Sequence, residues 1–254
     1  IYRWLKKGER VIITADVGEG NPETKDGDFS TISVGVLNEL GRDELIMTWR
    51  GHLNPVLFGE VLAALSWGIR YRVGEDVVAP ELAVEWNGPG KSTCTYIDTK
   101  NLYPKTYRYQ PLGVHGLPNT KHIGWESNAK TKPLMVSYTL RMIERDLIDV
   151  PDEDLVLEMA SYRQLDSFGD EGSFGGASGR HDDMVSSFQI LCVLLRLRSQ
   201  TIPGESEVEE VNMLDDFGDT DLPPFDPFDV EIPILAGVES RDLDEESAWE
   251  VERW

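Results

Sequence analysis

The sequence predicts a mixed α/β fold, a five-stranded sheet that opens with three antiparallel strands and carries helices on both faces. Two observations lead there. Three β-branched, apolar runs, 11–16, 31–37 and 44–50, precede the first helix signal, so the chain starts as a meander. Beyond Asn54, helical and extended patterns alternate, as crossover connections over a sheet do.

Each element has its own signal. Val11-Ile12-Ile13-Thr14-Ala15-Asp16 is apolar and β-branched, ends toward Gly18 and Gly20, and reads as a central strand. After the polar loop from Glu19 to Asp28, Thr31 to Leu37 and Glu44 to Arg50 read as an antiparallel pair joined through 38–42. Asn54 then Pro55 marks a helix start, with a capping side chain and proline in the first turn. Leu57, Phe58, Val61, Leu62, Leu65 and Ile69 form its apolar face. Leu82 to Trp86 is a fourth short strand, closed by Asn87-Gly88-Pro89-Gly90, and a helix is expected from there to about Asp98. Tyr103 to Tyr109 is the expected fifth strand. Pro133 opens a helix to about Ile148, and 154–165 holds another short element. Five glycines between Phe168 and Arg180 exclude regular structure and predict a loop or hairpin. Val185, Phe188, Leu191, Cys192 and Leu195 mark a final helix from Asp182 to Arg198.

A chain of 254 residues holds one large domain or two small ones, and 40% hydrophobic content is enough for a core. Cys94 and Cys192 are too few and too far apart for a disulfide scaffold or a cysteine zinc site, which points to a reducing compartment. No apolar run is long enough for a membrane span, and the amino end lacks a signal-peptide pattern. The chain begins at Ile1 rather than Met, which leaves open whether it is a piece of a longer protein.

Charge divides the chain in two. The net charge is −22, yet 18 acids and only two bases, Arg241 and Arg253, fall in 199–254, leaving −6 for residues 1–198. Pro203, Pro223, Pro224, Pro227 and Pro233 break any long helix there, so 199–254 reads as an acidic tail, partly extended or disordered. Its plain role is a solvated terminus; a functional one is docking to a basic partner, with Trp249 and Trp254 as anchors. Between Lys100 and Arg145 the sign reverses, with eight bases against Glu126 and Glu144, a stretch suited to an anion.

Three acidic positions stand at element ends, where a mixed sheet commonly places its site. They are Asp16 in Asp-Val-Gly-Glu-Gly, Glu85 among Val84 and Trp86, and the pair Asp182-Asp183 after His181. Each alone has a plain reading as turn, edge residue or helix cap. Together they make a set of hard oxygen ligands, which suits Mg²⁺ or Mn²⁺ and two-metal phosphoryl transfer.

These motifs, with Gly124-Trp125-Glu126-Ser127-Asn128 before Thr131-Lys132-Pro133 and with Gly179-Arg180-His181-Asp182-Asp183, resemble the nuclease domain of the large terminase subunit of tailed bacteriophages. The resemblance covers about residues 9–198. It implies an RNase H-like fold over 1–198 and metal-dependent endonucleolytic cutting of concatemeric double-stranded DNA during packaging. Asp16, Glu85 and Asp182 match the family's catalytic acids and, with Asp183 as a further ligand, would hold two Mg²⁺ or Mn²⁺ ions. It also implies a packaging ATPase upstream, portal and small-subunit partners, no membrane, and work at the procapsid in the host cytoplasm. Cutting would leave 5′ phosphate and 3′ hydroxyl ends.

An ATPase site is not expected in this chain. Gly88-Pro89-Gly90-Lys91-Ser92 imitates the end of a P-loop, but the position needing the first glycine is Glu85. Lys91 reads better as a helix-start cation or a phosphate contact, joined in DNA binding by Lys100, Lys105, Arg108, Lys121, Lys130 and Lys132. His52, His115 and His122 show no metal spacing and read as surface or loop residues; His181 is placed to tune the adjacent acids or to serve as an ordinary polar residue. Two other functions fit: a junction resolvase or transposase of the same fold, and a non-enzymatic packaging or interaction protein.

Overall fold

The meander forms as predicted: β1 (Arg10–Asp16), β2 (Ser30–Leu37) and β3 (Asp43–Gly51) pair antiparallel in sequence order. This computed structural model describes residues 1–20, 29–38, 41–73, 79–109, 122–164, 174–176 and 182–199. The expectations for Lys121, His115, His181 and the tail beyond Ser199 lie outside the described residues.

α1 (Pro55–Val73) starts where Asn54 caps it, accepting the Val56 N–H on Oδ1 at 2.9 Å. Its buried side chains include Phe58, Leu62, Ser66, Ile69 and Val73, so Val61, expected inside, is 37% exposed. The crossover returns the chain as β4 (Glu81–Val84), parallel to β1, followed by α2 (Gly90–Lys100).

One strand is displaced from its expected place. The fifth strand is β5 (Ile148–Asp149), parallel to the start of β3, giving the order β4-β1-β2-β3-β5. Tyr103–Tyr109 instead touches the opposite edge through an isolated bridge, Leu82 to Thr106, and Arg108 bridges antiparallel to Ile123. Pro104 has no N–H for a ladder, and the alternate tyrosines 103, 107 and 109 are spent on burial.

α3 (Thr131–Glu144) is shorter than predicted because Asp146 turns left-handed, φ 56°, and the Leu147 N–H closes the end on the Met142 carbonyl at 2.8 Å. α4 (Glu153–Ser161), capped by Asp152, leads into β6 (Tyr162–Gln164). The glycine-rich stretch contributes β7 (Phe174–Gly176), antiparallel to β6, so its described part is one arm of a hairpin. α5 (Asp183–Arg198) closes the order. Every described element belongs to one unit, Ile1–Ser206, and none of the described helices is long and apolar enough to cross a membrane.

Helices cover both faces, and strand alternation decides which. Val11, Ile13 and Ala15 face a core shared with Phe58, Leu62 and Ile97 of α1 and α2. Ile12, Leu45 and Ala83 face the other, shared with Met135, Met142 and most of α5. α5 is buried nearly all round, and it can lie this close because Gly35 is opposite Leu191, whose methyls would stand 2.9 Å from a Cβ there. Its far end is tied to β4 by paired bonds from Arg198 to Glu81 at 2.8 and 2.9 Å.

Candidate active site

Two strand ends and one helix start meet at one end of the sheet. β1 and β4 run parallel with Ala15 opposite Val84, so the next residues, Asp16 and Glu85, stand side by side. The Glu85 N–H donates to the Ala15 carbonyl at 2.8 Å, and Glu85 bridges to Trp125 on its other side. Thr31, opposite Asp16 in the β1–β2 ladder, donates its hydroxyl to the Asp183 carbonyl at 2.9 Å. Thr14 donates to the Ser187 carbonyl at 2.7 Å, and the Ser33 and Ser187 hydroxyls lie 3.0 Å apart. These buried hydroxyls fix how α5 sits along β1 and β2. On the side chain, Asp183 Oδ2 accepts the Phe29 N–H at 3.1 Å.

The electrostatics follow from that placement. Burial pushes the Asp16 carboxyl well above the usual carboxylate range. The Glu85 charge, a hydrogen bond between the two carboxyls, and the Asp183 charge act the same way, while the Val17 N–H on Oδ1 at 2.8 Å pulls back. Asp182 stands at the helix cap, where its charge, after burial, helps push the Tyr162 hydroxyl up to about 12. Asp16, Glu85 and Asp183 are thus brought into one electrostatic group, with Asp182 beside it.

Their donors are all carboxylate oxygens, which fits a hard divalent cation. Among the described residues no three His, Cys, Asp or Glu side chains are already arranged around an ion position.

Some residues that shape the site carry little sequence signal. Asn87 Nδ2 donates to Glu85 Oε1 at 3.2 Å and to the Ser127 carbonyl at 2.7 Å, so it aims Glu85. Its place two residues past the acid was the only hint. Gly90, part of the false P-loop, is needed for packing, since a Cβ would come 2.0 Å from the Glu85 carbonyl oxygen. In the Asp16 loop, Gly20 has φ 73° and a Cβ there would lie 2.3 Å from the Leu53 carbonyl oxygen.

The predicted basic residues do not all gather here. Lys91 is exposed in the first turn of α2, directly after Gly90. Lys130 and Lys132 begin α3, just beyond the Ser127 that holds Asn87. Lys100 closes the far end of α2, about 15 Å along the helix by the usual rise. Lys105 is half-buried, and Arg108 is 3.5 Å from Asp98. His122 is in a loop yet partly buried, stacked on Trp86 at 4.2 Å and on Tyr109 at 5.4 Å, and His52 stacks on Phe29 at 4.3 Å. Both cysteines are free and buried, their thiols pushed up to about 12 by burial.

Solved structures share this architecture. The large terminase nuclease of thermophilic phage G20c, with bound magnesium, is 19% identical, with 73% of this chain and 81% of that one covered at a TM-score of 0.52. The human cytomegalovirus terminase nuclease domain, manganese-soaked and inhibitor-bound, is 12% identical over 74% and 83%, at a TM-score of 0.50. The chain has the RNase H-like fold of terminase nuclease domains. At these identities the likeness is one of fold. No protein-family model and no curated protein matches the chain.

Proposed function

We propose that the chain is a metal-dependent endonuclease that cuts concatemeric double-stranded viral DNA during genome packaging. The observation that carries this reading is the meeting of Asp16, Glu85 and Asp183 at one end of the sheet, past the carboxyl ends of β1 and β4. The terminase-nuclease fold supports it.

Asp16, Glu85 and Asp183 would hold two Mg²⁺ or Mn²⁺ ions, with Asp182 a further acid at the helix start. When bound, the ions supply an activated water and neutralise charge on the leaving 3′ oxygen. The protein's own part is orientation: Asn87 aims Glu85, and the Phe29 N–H aims Asp183. Lys91, Lys130 and Lys132 would contact backbone phosphates beside Glu85. Residues 1–198 would form the nuclease and 199–254 an acidic tail. An upstream packaging ATPase, the portal and the small terminase subunit would be its partners at the procapsid in the host cytoplasm.

Mn²⁺-dependent plasmid cutting tests this directly. Asp16→Ala, Glu85→Ala and Asp183→Ala should abolish cutting while leaving the far-ultraviolet circular dichroism intact, and Asp182→Ala should lower it less. Undiminished cutting by Asp16→Ala would sink the site, and a strong preference for four-way junctions would redirect the reading to a resolvase.

A further inference from the structure

One half-buried acid has no place in the mechanism above. Glu158, on α4, points at the first turn of α5 and has a side chain 13% exposed. Its Oε2 accepts the Met184 N–H at 3.1 Å. A helix start leaves its first N–H groups without intrahelical partners, and a carboxylate there is favoured by hydrogen bonding and by the helix dipole. Here the carboxylate comes from another helix rather than from the cap position.

One further contact holds Glu158 in place. Arg50, at the end of β3, lies 3.5 Å from Glu158 Oε1 and also 3.5 Å from Asp154 Oδ2. The same guanidinium lies 5.7 Å from the centre of the Phe29 ring, and Phe29 is the residue whose N–H binds the Asp183 carboxylate. One connected set therefore runs from Glu158 through Arg50 to Phe29, and so to both the backbone turn and the carboxylate of Asp183. The position is costly, because the Asp183 charge opposes that of Glu158.

We propose that Glu158 is a positioning residue that locks the first turn of α5, and so sets where Asp183 presents its carboxylate to a divalent cation. The inference rests on the metal-site reading above. It predicts that reach matters more than charge: Glu158→Gln keeps an oxygen at the same distance, whereas Glu158→Asp keeps the charge and withdraws it by one methylene.

Two readouts separate this from a merely stabilising contact. Calorimetric Mn²⁺ titration should show Glu158→Asp binding at least fivefold more weakly than the unaltered protein, with Glu158→Gln within twofold of it. Amide hydrogen exchange, measured without metal, should quicken about tenfold at Met184 and Val185 in Glu158→Asp and stay unchanged in Glu158→Gln. The reverse order of the two variants in either measurement, or no change in Glu158→Asp, overturns the proposal. Asp16→Ala, which should lose Mn²⁺ binding, is the control for the site itself. If it binds Mn²⁺ normally, the metal-site reading fails, and the exchange data alone decide whether Glu158 locks the turn.

Discussion

Single side chains in this protein are governed by how much water they lose. Asp43 is buried, with the Asn38 N–H on its Oδ1 at 2.9 Å, and burial pushes its carboxyl up to about 6. Folded protein therefore holds this proton more tightly than unfolded chain does, and stability falls as pH rises from about 4 to about 6. A two-unit shift corresponds to roughly 3 kcal/mol at most. Asp43→Asn keeps the acceptor and cannot ionise, so urea unfolding should show it gaining about 2 kcal/mol on the unaltered protein between pH 4 and 7; a gap that does not change with pH would refute the assignment. Asn87 makes a different kind of prediction. Removing its amide in Asn87→Ala frees Glu85 to turn, and loss of such an orienting partner typically lowers activity or metal affinity about 10- to 100-fold. Plasmid cutting over a Mn²⁺ series would measure it, with melting temperature as the check on folding.

Among the elements, what the sequence reveals depends on the range of the interaction. β1 to β3, α1 and α5 are legible because each carries its own period or cap: β-branched runs, Asn54-Pro55, a long apolar helix. β5 is not, since two residues carry no period and Ile148–Asp149 pairs only because α3 ends beside β3. The same limit applies to the site. Asp16 and Glu85 are legible from their strand ends, but whether Asp182 or Asp183 faces them depends on the rotation of α5. Thr14, Thr31 and Ser33 set that rotation, three hydroxyls that look like ordinary strand residues in sequence. Glycines show the contrast within single elements. Gly68 is exposed in α1 with nothing within 4 Å of a Cβ, so Gly68→Ala should stabilise by about 0.5–1 kcal/mol through helix propensity. Gly90→Ala would drive a Cβ into the Glu85 carbonyl, and should lose about 1–3 kcal/mol together with most cutting activity. Thermal melts of the pair should move in opposite directions, and a Gly90→Ala melt like that of the unaltered protein would show that α2 does not brace Glu85.

Across the whole molecule, charge decides how a duplex would be met. A net charge of −22 argues against nucleic-acid binding only if it is spread evenly, and it is not: 199–254 carry 18 acids and two bases. All of these lie beyond Ser199, whose N–H closes α5 on the Leu195 carbonyl at 2.9 Å, so a truncation after Ser199 keeps the last helical cap. The shortened chain has a net charge of −6, with Lys91 still at the start of α2 and Lys130 and Lys132 at the start of α3. Repulsion between an acidic segment and phosphates acts over a screening length of about 10 Å at 0.1 M salt and shortens as salt rises. Removing the tail should therefore raise duplex affinity most at low salt. Fluorescence anisotropy with a labelled duplex, in Ca²⁺ to prevent cutting, should show at least a tenfold gain at about 50 mM salt that shrinks toward twofold at about 200 mM. Lys130→Ala in the truncated chain should then weaken binding and flatten its salt dependence, as loss of one phosphate contact does. Equal affinities with and without the tail at low salt would mean that the acidic segment does not oppose DNA, and that its charge serves a basic partner instead.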